Sequence, residues 1–264
     1  MPLVSPSRRS NRQPGSTGVR LSGWPFMPDS AYIMLSDRIG RGQVDYGAQT
    51  NRPNDMIAVG ALPTTLPTTQ GWALQFGGAS NYYESVALPW VLTYPLAIGA
   101  FFKYVSGAAG SAIALADRDT ATNGNYYALG VGALGIEADI RPTPTAQLTL
   151  TTQGTIGPLV DGAYYACALV SPSPISHHLW FNGIEIVAAI DQGVNMKLTR
   201  VQLGGLARNL TPAILNSSNY PILMAWYGMS DQRTGTQGNA LSDLAGAWTR
   251  NPWRMFEGSG TLAH

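Results

Sequence analysis

One cysteine and an adjacent pair of histidines are the side chains best suited to nucleophilic or metal chemistry. Cys167 is the only cysteine and lies in the apolar run AYYACALV, which predicts a buried, unreactive thiol. A single cysteine also excludes an internal disulfide and a cysteine-based zinc site. His177 and His178 are neighbours, and neighbours in a strand face opposite sides. We therefore expect no two-histidine site there, and both histidines to be structural or exposed.

A second group of polar side chains lies within one predicted loop, where carboxylate and amide oxygens of the kind that bind calcium occur together. The weak candidate ligands are Asp117, Asp119, Asn123 and Asn125. Their spacing matches no EF-hand loop, and Asp and Asn also form turns. We expect no cofactor, with calcium as the alternative. The sequence contains no G-x-S-x-G elbow, P-loop or H-E-x-x-H motif, so enzymatic chemistry is not expected.

The elements that position these residues are mostly short strands. The chain of 264 residues contains 30 glycines and 18 prolines, which favours many turns and few long helices. Short apolar runs recur at roughly 8–12-residue spacing, as in sandwiches and jelly rolls, and Asn182-Gly183 is a strong hairpin signal. One helix is predicted over 241–248. The main predicted strands are 72–76, 82–88, 96–105, 111–116, 126–131, 135–141, 146–152, 163–170, 178–181, 184–187, 198–203 and 222–229.

Charge is sparse and unevenly distributed. Charged residues make up 12% of the chain, against about 25% in typical soluble domains. The net charge of +1 argues against a general polyanion binder. Only Lys103 and Lys197 are lysines, and the other basic residues are arginines. Because Arg is enriched and Lys depleted at interfaces, this bias indicates a subunit of an assembly. Codon bias is the alternative explanation. No run of 18 apolar residues predicts a membrane span.

Residues 1–30 are predicted to form an extended basic arm. No acidic residue precedes Asp29, and Pro, Ser and Gly separate the basic residues, so no periodic pattern forms. The arm would order against a partner, with a flexible solvated tail as the alternative. The predicted partner-binding residues are Arg8, Arg9, Arg12, Arg20, Trp24 and Phe26.

Three further segments follow the arm. Residues 31–70 are predicted to be an attachment or linker segment, with short strands at 31–35 and 56–62 and a Pro-stiffened linker at 63–69. Residues 71–258 form the predicted jelly roll, and 259–264 are a tail. Four large aromatic side chains near the end of the jelly roll are predicted structural anchors: Trp226, Trp248, Trp253 and Phe256.

Several motifs resemble laminin-G-like, concanavalin A-like domains in the order that this family has them. ALQFGGASNY at 73–82 resembles "A-L-x-F-[DG]-G-x-x-x-Y", and LWFNGIEI at 179–186 resembles the "L-Y-x-[DN]-G" hairpin. VQLGGL at 201–206 resembles "L-x-I-G-G", and 224–229 with 240–244 resembles the final strand and the "A-L-S-x-x-E" helix. The resemblance covers about residues 71–256. It implies an all-β fold, a jelly roll of two antiparallel sheets, used for glycan binding or particle architecture.

The ending NPWRMF at 251–256 is more particular, because it resembles the ending of such domains in tailed-bacteriophage virion proteins. The same fold hosts glycoside hydrolases with the pattern "E-x-D-x-x-E". Here Glu137 and Asp139 match its first part, but Arg141 and Pro142 follow where another carboxylate is needed. The acid/base is therefore missing, and an exposed charge pair on an ordinary strand is the simpler interpretation.

The resulting functional hypothesis is a non-enzymatic phage virion protein, a capsid decoration (cement) or head-fibre protein attached through its arm. Its expected partners are the major capsid protein or other virion proteins, and further copies of itself, for example as a trimer. It would be made in the host cytoplasm and located in the virion, without direct contact to nucleic acid or membrane. The alternative is a carbohydrate-binding, host-receptor module of a tail fibre or spike, with an aromatic-lined groove that the sequence does not locate.

Overall fold

The computed structural model describes residues 26–35, 56–78, 81–85, 87, 94–119, 124–143, 145–189, 196–209, 216–230 and 238–252. These residues contain fifteen strands and one helix. The strands are β1 (Phe26–Leu35), β2 (Met56–Val59), β3 (Thr64–Thr68), β4 (Gly71–Gln75), β5 (Tyr82–Ser85), β6 (Leu96–Lys103), β7 (Gly110–Ala116), β8 (Tyr126–Gly132), β9 (Gly135–Arg141), β10 (Leu148–Thr151), β11 (Tyr164–Ser173), β12 (Ser176–Phe181), β13 (Ile184–Ala189), β14 (Arg200–Leu203) and β15 (Pro221–Ser230), and the helix is α1 (Gly238–Arg250).

The strands form two antiparallel sheets. The eight-stranded sheet has the order β13-β12-β11-β6-β15-β4-β3, and β1 also pairs with β15. The seven-stranded sheet has the order β10-β9-β8-β7-β14-β5-β2. The predicted all-β, two-sheet sandwich with a short C-terminal helix is therefore confirmed. No helix among the described residues is long and apolar enough to cross a membrane.

The main core lies between the sheets and follows from the two-residue alternation of strands. Along β9, buried Ile136, Ala138 and Ile140 alternate with more exposed residues. Phe102 of β6 and Leu129 of β8 belong to the same buried cluster from opposite sheets. Because each fully buried large apolar side chain stabilises the fold by about 1.5–3 kcal/mol, this cluster sets the register of both sheets.

A second apolar cluster lies on the outer face of the eight-stranded sheet, where α1 covers β11 and β12. The rings of Trp226 and Trp248 meet edge to face at a centroid distance of 5.2 Å. Gly246 lets the helix approach closely, because a Cβ there would lie 2.7 Å from the ring of Trp180. Both Trp226 and Trp248 are buried, with 1% and 2% of their surface exposed.

The Asn182-Gly183 hairpin joins β12 to β13 and contacts the end of this helix. Both residues have positive φ, 44° and 84°, as a two-residue type I′ hairpin turn requires. Gly183 N donates to Thr249 Oγ1 at 2.8 Å, and Arg250 Nη2 donates to Gly183 O at 3.2 Å. The turn that the sequence predicts thus also fixes the position of the helix C-terminus.

Strands β1, β2 and β3 lie before residue 71, yet each belongs to one of the sheets. The sandwich therefore begins within the expected arm and attachment segments, since β1 starts at Phe26. The expected linker at 63–69 is largely β3, which pairs with β4. Pro67 is compatible with a strand there because β3 is an edge strand, and an edge position leaves one side of the backbone without a ladder.

We expect Trp248→Ala to lower the free energy of unfolding by about 3–5 kcal/mol, because it removes a large buried ring and leaves a cavity. Urea denaturation followed by circular dichroism measures this change. Val160→Ala is the control: this side chain is 63% exposed, and its truncation should change stability by less than about 0.5 kcal/mol. A loss below about 1 kcal/mol in Trp248→Ala would contradict its role as an anchor.

Candidate functional site

The outer face of the seven-stranded sheet carries a groove along β8. Inward-facing Tyr127, Leu129 and Val131 belong to the main core, so Ala128, Gly130 and Gly132 face outward by alternation. None of these three has a side chain larger than a methyl group. The strand thus contributes only small residues to the floor of the groove, and the Glu137 carboxylate lies over Gly132 while Gly110 O lies beside Gly130.

Two different parts of the chain form the walls. Glu137 and Asp139 of β9 stand on one side, opposite Gly130 and Ala128 in the β8–β9 register. On the other side lie the start of β7, with Ser111, and Asn216 of a returning loop. The cavity is open to solvent on one side and has a volume of about 290 Å³, just below the roughly 300–1,000 Å³ typical of small-ligand sites. We call this cavity the β8–β9 groove.

Close backbone contacts hold the second wall in place. Ser111 N donates to Asn216 O at 3.2 Å, and Ser111 forms a parallel bridge with Ser217. Gly110 has a φ of 103°, and a Cβ there would lie 2.2 Å from Ser217 O. A Cβ on Gly130 would lie 2.2 Å from Gly110 O. Glycine is therefore required at both positions for the loop, β7 and β8 to meet.

The two carboxylates of the groove are held by hydrogen bonds. Asp139 Oδ1 accepts from Thr149 Oγ1 at 2.6 Å and from Gln147 Nε2 at 3.1 Å. Glu137 Oε1 accepts from the backbone N–H of Leu134 at 2.8 Å. Among the described residues, Asp139 Oδ2 and Glu137 Oε2 accept no hydrogen bond, so each carboxylate offers one oxygen to a ligand.

Tyr126 and the crossing segment, residues 204–209, pack together on the outer face next to the groove. Leu206 is buried against Ala128 and Tyr126, and the Arg208 guanidinium carbon lies 5.8 Å above the centre of the Tyr126 ring. Burial raises the pKa of the Tyr126 hydroxyl and the charge of Asp139 raises it further, while Arg141 and Arg208 lower it. Burial and the neighbouring Arg141 lower the pKa of Arg208. The basic side chains therefore gather around Tyr126, beyond the groove.

Glu84 is a third carboxylate on this face, but it belongs to a separate network. Its Oε2 accepts from Arg118 Nη1 at 2.5 Å and from Gln202 Nε2 at 2.7 Å. Four strand spacings separate it from Asp139 along the register, or about 19 Å. Glycosidase carboxylate pairs lie about 5–9.5 Å apart, so Glu84 does not supply the acid/base absent from the Glu137–Asp139 strand.

The expected chemical residues lie in ordinary environments where the structure describes them. Asp119 N donates to Asp117 Oδ1 at 3.0 Å, which is a local turn pattern. Asp117 N donates to Asn125 O at 2.8 Å, which extends the β7–β8 pairing beyond Ala116 and Tyr126. Asn123 lies outside the described residues. Within the described part of the chain, no three His, Cys, Asp or Glu side chains are close enough to hold a metal ion.

The cysteine and the histidines also have structural surroundings. Burial raises the pKa of the Cys167 thiol, which donates to Ala100 O at 3.6 Å. His177 is buried, with Nδ1 2.7 Å from Ser171 Oγ, and that hydroxyl lies 2.6 Å from Tyr127 Oη. His178 pairs instead with Glu185 and is partly exposed. The two histidines thus point to opposite sides of β12.

Several predicted site residues are not among those described: Arg8, Arg9, Arg12, Arg20, Trp24, Trp253 and Phe256. Phe26 begins β1 and pairs with Ser230. Sequence reasoning missed the β8–β9 groove itself. Its signal was present in YYALGVG at 126–132, where large residues alternate with residues that become progressively smaller on the other face.

Comparison with known proteins supports the fold but identifies neither a family nor a function. No family model matches the chain, and no curated protein matches it. Domain 4 of AbnA, a GH43 extracellular arabinanase from Geobacillus stearothermophilus solved with arabinotriose, is similar with a TM-score of 0.56 at 10% identity, covering 82% of this chain and 100% of that one. The likeness is to a β-sandwich domain of the jelly-roll type, consistent with the concanavalin A-like fold.

Two toxin structures are similar over a comparable length. A botulinum neurotoxin type C structure, described in terms of interaction with two ganglioside molecules, has a TM-score of 0.51 at 10% identity and covers 83% of this chain and 51% of that one. The binding domain of Paraclostridial Mosquitocidal Protein 1 has a TM-score of 0.51 at 6% identity, covering 83% and 52%. At these identities the likeness concerns the fold alone.

We expect Gly130→Ala to destabilise the protein by about 1–3 kcal/mol, because the added methyl group overlaps Gly110 O and forces a backbone shift. Gly157→Ala is a matched control: no atom lies within 4 Å of a Cβ at Gly157, so this change should leave stability unchanged or raise it by up to about 1 kcal/mol. Thermal and urea unfolding of the three proteins compare these values. Equal stability of both variants would contradict the close contact between β7 and β8.

Proposed function

We propose that this protein is a non-catalytic carbohydrate-binding module whose ligand lies in the β8–β9 groove. The observation that carries the proposal is a recess floored by small residues of β8, including Ala128 and Gly130, beside two oriented carboxylates. A sugar ring presents C–H groups on its faces and hydroxyl groups around its rim. The floor of the groove would contact the C–H groups, and the polar side chains of the walls would form hydrogen bonds with the hydroxyl groups.

The donors and acceptors of the walls suit hydroxyl groups. Ionised carboxylates only accept hydrogen bonds, and bonds to them are shorter and stronger than those between neutral groups. Glu137 and Asp139 would accept from ligand hydroxyls, while the Asn216 amide and the Ser111 hydroxyl both donate and accept. The small volume of about 290 Å³ favours a short saccharide or the terminal residue of a longer one.

The groove is also organised before a ligand arrives. The donors on Asp139 Oδ1 and Glu137 Oε1 restrict both side chains, which reduces the side-chain entropy lost on binding. The floor is backbone of a central strand and has no rotamers to lose. A small site therefore gains affinity because its side chains lose little entropy on binding. Several copies in an assembly would add avidity.

The structural comparisons support a saccharide as the first ligand class to test. The similar AbnA domain was solved with arabinotriose, and the similar neurotoxin is described as interacting with gangliosides. Because one fold hosts many functions, the proposal depends on the geometry of the groove in this chain. The comparisons only indicate which class of ligand to test first.

We expect Asp139→Ala to weaken saccharide binding about tenfold or more, since a hydrogen bond to a charged group contributes about 1.5–3 kcal/mol. A glycan array identifies binding saccharides, and isothermal titration measures their affinity for the variant. Glu185→Ala is the matched control, because Glu185 is a partly exposed carboxylate of the other sheet. Unchanged affinity in a folded Asp139→Ala protein would exclude this groove, and the absence of any saccharide ligand would exclude the function.

A virion structural role is the second candidate, as a capsid decoration, cement or head-fibre protein bound through its N-terminal arm to capsid or other virion proteins. It is favoured by two exposed apolar side chains near the edge strands β2 and β3: Ile57 is 60% exposed and Leu62 is 72% exposed. Apolar groups beside an unpaired sheet edge are typical of interaction surfaces. A tail-fibre or spike module would combine this role with saccharide binding.

Deletion of residues 1–25 tests the docking arm and leaves β1 intact, whereas deletion of 1–30 would remove half of that strand. We expect the shortened protein to retain its circular dichroism spectrum and melting temperature but to be lost from virions purified from producing cells. An internal deletion within 259–264 serves as the control. Full occupancy of the particle by the shortened protein would contradict the arm hypothesis.

A further inference from the structure

We infer that the β8–β9 groove accepts neutral and amino saccharides and excludes saccharides that carry a carboxylate, an inference that rests on the proposed function. The charges of the walls carry it. Among the residues that the structure describes, Glu137 and Asp139 are the only titratable side chains that line the groove, and all other lining residues are small or uncharged.

Both carboxylates line the groove. They are alternate residues of β9, about 7 Å apart along the strand, and each is about one strand spacing, near 5 Å, from the floor residue it pairs with. A ligand carboxylate above Ala128 and Gly130 would therefore lie close to two like charges in a recess that is partly shielded from water. Repulsion at such distances rises as solvent is excluded.

The carboxylates cannot turn away without loss of their partners. Asp139 would give up the hydrogen bonds from Gln147 and Thr149, and Glu137 would give up the bond from Leu134 N. A ligand ammonium group meets the opposite situation, because the remaining oxygens are acceptors that a charged donor satisfies. The same two residues thus attract hydroxyl and ammonium groups and repel acids.

The described arginines of this face do not reverse the preference, because none of them lines the groove. Arg141 is hydrogen-bonded to Tyr126, and Arg208 lies over the Tyr126 ring. Arg118 is paired with Glu84. Arg141 lies two residues beyond Asp139 on the same face of β9 and opposite Tyr126, so among the described residues the carboxylates line the groove and the cations lie next to it.

The test compares ligands that differ in one group. The probes are the methyl β-glycosides of glucose, glucosamine and glucuronic acid, the matching galactose series, and an array of neutral, amino and acidic oligosaccharides. For any scaffold that binds, we expect the acidic member to bind at least tenfold more weakly than the neutral one, and the amino member at least as tightly. The discrimination should shrink as ionic strength rises.

Two nearly isosteric variants test whether Glu137 and Asp139 cause the discrimination against acidic saccharides. In the double variant Glu137→Gln, Asp139→Asn, the neutral-to-acidic ratio should fall towards one even if neutral binding also weakens, because the amides retain shape but not charge. Glu185→Gln, on the other sheet, should leave the ratio unchanged. Melting temperatures check the fold, and the single variants, each expected to lower the ratio in part, replace the double variant if it does not fold.

The outcomes separate the two hypotheses. Acidic members that bind the unmodified protein as tightly as neutral ones would overturn the charge selection and leave the proposed function intact. Discrimination that persists in a folded double variant would also overturn it, because the charges would then lie elsewhere. If no neutral, amino or acidic saccharide binds at all, the proposed function fails and this inference fails with it.

Discussion

The structure depends on the burial of one apolar face from each of two sheets, and strand alternation then decides what remains on the two outer faces. The faces are treated differently. On the eight-stranded sheet the outward residues are again apolar, and α1 covers them with Trp248 packed against Trp226. On the seven-stranded sheet, the described segments that pack on the face are one through Leu206 and the loop at Asn216. The outer face of the seven-stranded sheet therefore retains a groove, whereas α1 covers the outer face of the eight-stranded sheet where it packs.

The polar residues of the open face divide into two groups with different roles. Glu84 is joined to Arg118 and Gln202, and Gln202 exchanges two hydrogen bonds with the backbone of Ala207. This network fastens the crossing segment to the sheet and satisfies a partly buried charge, as burial requires. In the part of the chain that the structure describes, the hydrogen bonds to Glu137 and Asp139 come from the Leu134 backbone N–H, Gln147 and Thr149. Glu84 is instead paired with an arginine.

Local features of the sandwich were predictable from the sequence because short-range chemistry determines them. Asn182-Gly183 forms the expected hairpin since few other residue pairs tolerate two positive φ values, and the predicted helix at 241–248 lies within Gly238–Arg250. The segment at 63–69 was misleading, because Pro and Thr are typical of linkers and Pro67 is acceptable only where β3 lies at an edge. Neither edge position nor sheet order can be read from local composition.

The groove could be predicted only in part, because its two walls come from distant parts of the chain. The floor and one wall belong to the β8–β9 hairpin, and the alternation in YYALGVG indicates a small-residue face. The other wall requires Asn216 to meet Ser111, a contact between residues about a hundred positions apart that no spacing rule supplies. Sequence comparison with glycosidases directed attention to Glu137 and Asp139 as an incomplete catalytic pattern. Their position beside the small residues of β8 supports the use that we propose for them, because oriented acceptors in a recess can bind a hydroxylated ligand without an acid/base partner.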